Sequence, residues 1–242
     1  MMEQGFNYSD ERFADIQVLR YRLNGFENLS LKEKLYIYYL SQATLYGRDI
    51  TFDQFGKYNL KIRKVLEVVY TDMTIYRETD DFKALEVYLK RVWFSNGIYH
   101  HYGCDKFVPG FSADYLLACM RQVIPQKLPL ESGQTVEQLF EELRPVIFDA
   151  EVLPKRVNTD NGIDVVAASA CNYYENVSQK EVEDYYSKLK DLDKSNAQPS
   201  YGLNSKLIKE NGILREEVWY ADGKYGNAIK HIIYWLENAR EV

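Results

Sequence analysis

The sequence predicts an α+β fold that is mainly helical, with helices packed around a small β element. Helices dominate the prediction because capping boxes, in which Ser or Thr precedes Glu or Gln by three residues, open segments whose apolar residues recur at helical spacing. The β element rests on a valine-rich strand near 163–170 and on a hairpin over 206–220, where Asn211-Gly212 separates two runs typical of strands.

The N-terminal region is expected to hold little regular structure before the first helix. Residues 1–29 are polar and mixed, and they end near a turn-like Asn-Gly pair. Ser30 and Glu33 form a capping box, and apolar residues then follow at helical spacing until Gly47. The next helix is expected over about 58–70 for the same reason of apolar spacing.

A further helix over about 80–95 leads into Asn96-Gly97. That dipeptide is a strong hairpin signal, but the helical periodicity before it favours Gly97 as the left-handed residue that ends the helix. Residues 98–109 are therefore expected to form an exposed loop.

The second half of the chain is expected to add helices around the β element. Pro145 should stop or kink one of them, because proline removes a backbone donor. Residues 191–201 should form a polar connector. The final helix meets no stop signal, so we expect the sequence to be part of a longer protein. The expected helices cover about 112–122, 135–145, 178–189 and 225–242.

Composition limits the classes of function. With 242 residues, 46% of them hydrophobic, the chain can bury a sizeable core, and its net charge of −6 argues against nucleic acid as a partner. No run of about 18 apolar residues and no secretory signal are present, so a soluble protein of the cytoplasm or periplasm without a membrane segment is expected. The 21 tyrosines suit a peptide-binding cleft, although packing in a helical core is the commoner explanation.

No metal site or cofactor is expected within the chain itself. His100 and His101 are adjacent, so on a strand they face opposite sides and on a helix they diverge; neither arrangement supplies two ligands to one ion. His231 has no matching ligand four residues away. The three cysteines are too far apart for a CxxC motif, and no GxSxG nucleophile elbow occurs, so no catalytic residue is assigned.

One loop offers candidate binding groups. It carries amide, imidazole, phenol and ammonium groups that can contact a peptide backbone and its terminal charges. The alternative is that three of its residues, Tyr99, His100 and Tyr102, hydrogen-bond the loop to the protein's own core, and the residues alone favour that alternative. The candidate substrate-binding residues are Asn96, Tyr99, His100, His101, Tyr102 and Lys106.

The stretch VWFSNGIYHHYGCDKFVP, which contains this loop, resembles a signature of the dipeptidyl peptidase III family. Further stretches that resemble the family, in its order, lie at 33–50, 167–174, 200–212 and 224–239, and the likeness is to Bacteroides-type bacterial members. The family's zinc motif, HExxGH, is not found in these 242 residues. The resemblance therefore covers the N-terminal part of the family and none of its catalytic motifs.

The resemblance implies a zinc-dependent exopeptidase that releases dipeptides from the N-terminus of oligopeptides. It implies two lobes across a cleft, with residues 1–242 forming a single N-terminal, substrate-side region of the lower lobe, to which the peptide adds as a strand. Zinc is then expected only in the intact family member, and this chain alone should be inactive. Its expected partners are the oligopeptide and the missing C-terminal catalytic region. A second copy of the chain is also expected, in a dimer formed through the surface that the missing region would cover. The alternative is a non-catalytic peptide-binding or scaffold module.

Overall fold

The computed structural model describes residues 5–193 and 202–242, and these confirm the α+β, mainly helical fold. The chain divides into two compact units: a first unit of Met1–Gly47 with Ala228–Val242, and a second unit of Arg48–Asn227. The described strands are β1 (Ser9–Phe13), β2 (Ile16–Leu19), β3 (Tyr174–Glu175), β4 (Ser205–Glu210) and β5 (Ile213–Val218). The described helices are α1 (Leu31–Tyr46), α2 (Arg48–Phe55), α3 (Asn59–Thr71), α4 (Asp80–Ser95), α5 (Ala113–Gln122), α6 (Val136–Phe148), α7 (Val165–Ala168), α8 (Gln179–Leu192) and α9 (Gly226–Glu241).

Capping boxes open α1, α6 and α8, as the sequence predicts. In α1 the backbone N–H of Ser30 donates to Glu33 Oε2 at 2.8 Å, and the Glu33 N–H donates back to Ser30 Oγ at 3.3 Å. These bonds satisfy N–H groups that have no partner within the helix.

Helix α6 does not stop at Pro145 but continues three residues further to Phe148. Its buried face includes Leu143 before the proline and Val146 and Ile147 after it. Burial of that face offsets the hydrogen bond that proline cannot make.

The predicted hairpin over 206–220 is confirmed by β4 and β5, which pair antiparallel around Asn211 and Gly212. Both turn residues have positive φ, 50° and 80°, as a type I′ turn requires. Strand β3 pairs parallel with β4, so the sheet order is β3-β4-β5. Leu207 of β4 is fully buried in a small cluster with Val177 and Val182, and this cluster packs α8 against the sheet.

The strand predicted near 163–170 is wrong: Val165–Ala168 form the one-turn helix α7. The Asp164 carboxylate accepts the N–H of Ala167 at 2.9 Å and also the N–H of Gln179. This side chain caps the turn and ties it to the start of α8, so the valines follow a local cap rather than their strand preference.

The expectation of little regular structure in residues 1–29 is also wrong. Strands β1 and β2 pair antiparallel, with Phe13 opposite Ile16. In the turn between them Ala14 takes a left-handed conformation at φ 47°. Alanine is not typical of turns of this kind, so the sequence did not indicate the turn. Helix α2 was likewise not predicted, and most of the predicted connector, residues 194–201, lies outside the described part of the chain.

The main core lies in the second unit, between α3, α4, α5 and α6. Side chains without exposed surface from these helices include Ile62, Leu66, Leu85, Leu89 and Met120. The core supports the loop that follows α4, which contains the candidate site.

Candidate functional site

The candidate loop is a compact hairpin rather than an exposed loop. The Phe107 N–H donates to Ile98 O at 2.8 Å, and the His100 N–H donates to Asp105 O at 2.8 Å. Ile98, Tyr99 and Phe107 are buried, so the prediction of an exposed segment over 98–109 is wrong for its two arms. We call residues 98–107 the 98–107 hairpin.

The turn into this hairpin differs from the predicted one by one residue. Asn96 is the left-handed residue that ends α4, at φ 54° and ψ 37°, and Gly97 follows at φ 153°. Gly97 lies against Asn59 of α3, so close that a Cβ on Gly97 would be 2.2 Å from Asn59 Nδ2. Asn59 is buried, and its Oδ1 accepts the Ile98 N–H at 3.3 Å. The glycine therefore leaves room for an amide that positions the hairpin.

Tyr99 and Lys106 point into the protein. The Tyr99 hydroxyl donates to Leu153 O at 3.0 Å, and burial raises the pKa of this phenol. The Lys106 ammonium donates to Val146 O at 3.1 Å and also to the carbonyls of Asp149 and Val152. The carbonyls of Val146 and Asp149 lie at the C-terminal end of α6, where a cation is favoured by the helix dipole. Both side chains thus attach the hairpin to the segment that follows α6.

Burial is the main influence on the Lys106 ammonium and lowers its pKa, while the nearby carboxylates of Asp149 and Glu151 act in the opposite direction. The ammonium is engaged by backbone carbonyls and does not extend toward solvent.

His100, His101 and Tyr102 form the tip of the hairpin. The two imidazole rings stack with centroids 4.5 Å apart, and the Tyr102 ring lies 4.4 Å from that of His101. His100 Nδ1 accepts the N–H groups of Tyr102 at 3.2 Å and Gly103 at 3.0 Å. Tyr102 is 86% exposed.

The structure thus brings three of the six candidates together at the tip and directs two others inward, with Asn96 at the end of α4. The alternative expectation was that Tyr99, His100 and Tyr102 hydrogen-bond the loop to the protein's own core. This holds for Tyr99, whereas the His100 side chain bonds within the hairpin and Tyr102 is exposed.

A second polar cluster in the second unit surrounds Asp53 of α2. The Asp53 carboxylate accepts the Nδ2 of Asn172 at 3.2 Å and the hydroxyl of Tyr225, and it pairs with the ammonium of Lys224 at 3.1 Å. The Asn172 backbone N–H also donates to Gln54 O at 2.8 Å. Burial, followed by the bond to Asp53, raises the pKa of the Tyr225 phenol. The cluster therefore fastens two distant stretches of chain to α2, and sequence reasoning missed it because α2 carried no helix signal.

The outer edge of β5 is the other feature that could bind a ligand. The Leu207 N–H donates to Tyr173 O at 3.0 Å, so Leu207 is bonded to the β3 side of the sheet. Its opposite residue in the register, Glu216, therefore directs its own N–H and C=O away from β4. By the alternation of an antiparallel pair, Leu214 and Val218 do the same. Within 5–193 and 202–242, no strand pairs with this edge.

Metal ligation finds no support in the described ranges, which contain no group of three or more His, Cys, Asp or Glu able to hold a metal ion. The family resemblance assigns no zinc ligand to these residues, and no reaction step is assigned to them. In the same ranges, no helix combines the length and the apolar character needed to cross a bilayer.

The fold and the site together define a class: an α+β chain, mainly helical, with a three-stranded mixed sheet whose β5 edge is open in the described residues. No protein-family model matches the sequence, and no curated protein matches it.

Proposed function

We propose that this chain is the substrate-side part of a zinc-dependent dipeptidyl peptidase of the dipeptidyl peptidase III type, and that its β5 edge binds an oligopeptide as an added strand. The zinc and its ligands would come from sequence outside these 242 residues. The chain alone would bind peptide without cleaving it.

The observation that carries the proposal is the open edge of β5. Three alternate residues, Leu214, Glu216 and Val218, direct backbone donors and acceptors outward, which is the arrangement that an extended peptide needs for main-chain pairing. Glu216 is held in place because its carboxylate accepts the hydroxyls of Tyr186 at 2.9 Å and Ser205 at 2.8 Å. A fixed edge loses little conformational entropy when a peptide binds.

Binding by strand addition is tested with fluorescein-labelled tetrapeptides carrying N-methyl groups at alternate amides, in the two possible frames. Only one frame of amides faces β5, so one N-methylated peptide should bind like the unmodified peptide and the other should not bind. Equal affinity of both frames, or no binding of the unmodified peptide at about 1 mM, would refute strand addition.

A protein variant tests the same edge. Val218→Pro removes one outward N–H and should weaken peptide binding by about 2- to 10-fold, the value of one hydrogen bond. Val218→Thr keeps the donor and the branched shape, so it should bind like the parent. An unchanged affinity of the proline variant would place the peptide elsewhere.

An activity assay tests whether catalytic residues lie outside the chain, and the downstream coding sequence separates the two candidate functions. The purified chain with added zinc should release no arylamine from dipeptidyl-arylamides, and turnover would refute the claim that catalytic residues lie outside it. A coding sequence for HExxGH directly downstream of Val242 supports the peptidase. A native stop codon at that point supports the alternative, a non-catalytic peptide-binding or scaffold module that uses the same β5 edge.

A further inference from the structure

Two cysteines of the second unit, Cys104 and Cys171, are both bonded to one residue, Arg156. The Arg156 N–H donates to Cys104 O at 2.8 Å, and the Cys171 N–H donates to Arg156 O at 3.1 Å. Both cysteines are free thiols. Two thiols that are far apart in the sequence are therefore held beside the same short stretch of backbone.

The side chains of these cysteines approach the same space. The Arg156 guanidinium donates from Nη2 to the sulfur of Cys104 at 3.6 Å. Burial raises the pKa of the Cys171 thiol, and of the two neighbouring groups Arg156 lowers this pKa while the Cys104 thiol raises it. A like charge acts on a neighbour in this way at separations of about 4–6 Å. The two sulfur atoms therefore lie near each other, beside one guanidinium.

Cys171 also faces the 98–107 hairpin. Burial, followed by the Cys171 thiol, raises the pKa of the Tyr99 phenol in the first arm. The second arm is bonded to the backbone next to Arg156, because the Lys106 N–H donates to Pro154 O at 3.0 Å. The cysteine pair thus lies where the hairpin contacts the segment that holds Cys171.

We propose that Cys104 and Cys171 form a site of reversible oxidation, at which a low-molecular-weight disulfide such as oxidised glutathione converts the two thiols into one disulfide bond. Cys104 reacts first, because its neighbours Gly103 and Asp105 are exposed at the hairpin tip whereas the residues on both sides of Cys171 are buried. The inference does not depend on the proposed peptidase function.

The reaction has two exchange steps. The Cys104 thiolate attacks one sulfur of oxidised glutathione, which breaks the glutathione disulfide, forms a mixed disulfide and releases one glutathione thiolate. The Cys171 thiolate then attacks the Cys104 sulfur and releases the second glutathione. The two cysteine protons pass to the two released thiolates, so the chain loses two electrons and glutathione gains them. The Arg156 guanidinium assists the second step, since it counteracts the effect of burial on the Cys171 thiol.

The disulfide would join the hairpin tip to α2. The residue after Cys171, Asn172, donates its N–H to Gln54 O at 2.8 Å and its Nδ2 to the Asp53 carboxylate at 3.2 Å. In the reduced chain the tip is attached through hydrogen bonds of Arg156, and oxidation adds a covalent link. The oxidised chain therefore holds His101 and Tyr102 more firmly than the reduced chain does.

Peptide mapping of the full chain under non-reducing conditions tests the proposal. After incubation with oxidised glutathione, trypsin should give one linked pair, residues 92–106 with residues 157–180, and Cys119 on residues 107–121 should stay a free thiol. Cys119→Ser is the control, because Cys119 is buried on α5 and should contribute nothing to the link. A link that includes Cys119, links only between copies of the chain, or two thiols that stay unlinked would overturn the proposal.

Single variants test the order of the two steps. Cys171→Ser should retain one glutathione on Cys104, because no second thiol can release it. Cys104→Ser should take up glutathione on Cys171 at least about 10-fold more slowly, because reactive thiols need access to solvent. Equal rates in the two variants would refute the assignment of Cys104 as the first thiol.

Urea denaturation separates a site that the fold provides from an oxidation that distorts the fold. The oxidised parent should unfold at a higher urea concentration than the reduced parent, because the new bond restricts the unfolded chain. Dithiothreitol should restore the original midpoint, and circular dichroism should show the same helix content before and after oxidation. A lower midpoint of the oxidised parent would show that the native structure does not place the two thiols for bonding.

Discussion

Replacing Gly97 by alanine should strongly destabilise the second unit, because this glycine meets two requirements at once. Its φ of 153° lies in the region that residues with a side chain rarely adopt, and the new Cβ would lie 2.2 Å from Asn59 Nδ2. Backbone strain of this kind costs about 1–3 kcal/mol. Displacing Asn59 also removes the acceptor of the buried Ile98 N–H, which costs about 1–3 kcal/mol more. The expected loss is therefore about 2–6 kcal/mol.

Equilibrium urea denaturation followed by circular dichroism measures this loss. Gly133→Ala is the matched control, because Gly133 also has a positive φ, 79°, but a Cβ there would meet nothing within 4 Å. It should cost only the backbone strain, about 1–2 kcal/mol. In an Asn59→Ala background the clash disappears, so Gly97→Ala should then cost about as much as the control. Equal losses at both glycines in the parent would refute the role assigned to Asn59, as would an unchanged loss in the Asn59→Ala background.

Two further predictions concern charged groups. The hydrogen bond from Lys209, followed by those of the capping box, lowers the pKa of Glu181 to about 2 from the usual 4.5, so the stabilising contribution of Glu181 is present above pH 4.5 and is lost as the pH falls toward 2. Glu181→Gln should flatten the dependence of the urea midpoint on pH in that window, whereas Glu183→Gln, on the same helix, should not. An unchanged slope in Glu181→Gln would contradict the assignment. Lys106→Met leaves carbonyls at the end of α6 without their donor and should lower the free energy of unfolding by about 1–3 kcal/mol. Lys83→Met, at an exposed position, should change the free energy of unfolding little. Equal effects of the two substitutions would show that the contacts of Lys106 with these carbonyls do not stabilise the fold.

Local chemistry allowed much of the fold to be predicted from sequence. Capping boxes place their own hydrogen bonds within four residues, so Ser30, Thr135 and Ser178 marked helix starts that the structure confirms. Asn211-Gly212 marked the hairpin for the same reason, since both residues accept positive φ.

The errors arose where contacts between distant residues, or an unusual local residue, decided the structure. Asp164 bonds to Gln179 as well as to its own turn, and this makes a helix of a stretch whose composition favours a strand. Ala14 adopts a turn conformation that alanine rarely takes.

The candidate site shows the same division. The composition of the 98–107 hairpin indicated groups able to contact a peptide, but the direction of Tyr99 and Lys106 depends on carbonyls about 40 to 54 residues away. The Asp53 cluster joins residues up to 172 positions apart. No local pattern reports such contacts, so neither feature could be read from one sequence.

The 98–107 hairpin has a practical consequence for labelling the protein. Its two arms are fixed by Asn59, Leu153 and the end of α6, and Arg156 donates to the carbonyls of His101 and Cys104 beside the tip, whereas the Tyr102 side chain is exposed. A fluorophore attached to the side chain at position 102 would be carried on a rigid base by a flexible attachment of its own. A reporter at that position would follow the movement of the second unit as a whole, without disturbing the helices that support it.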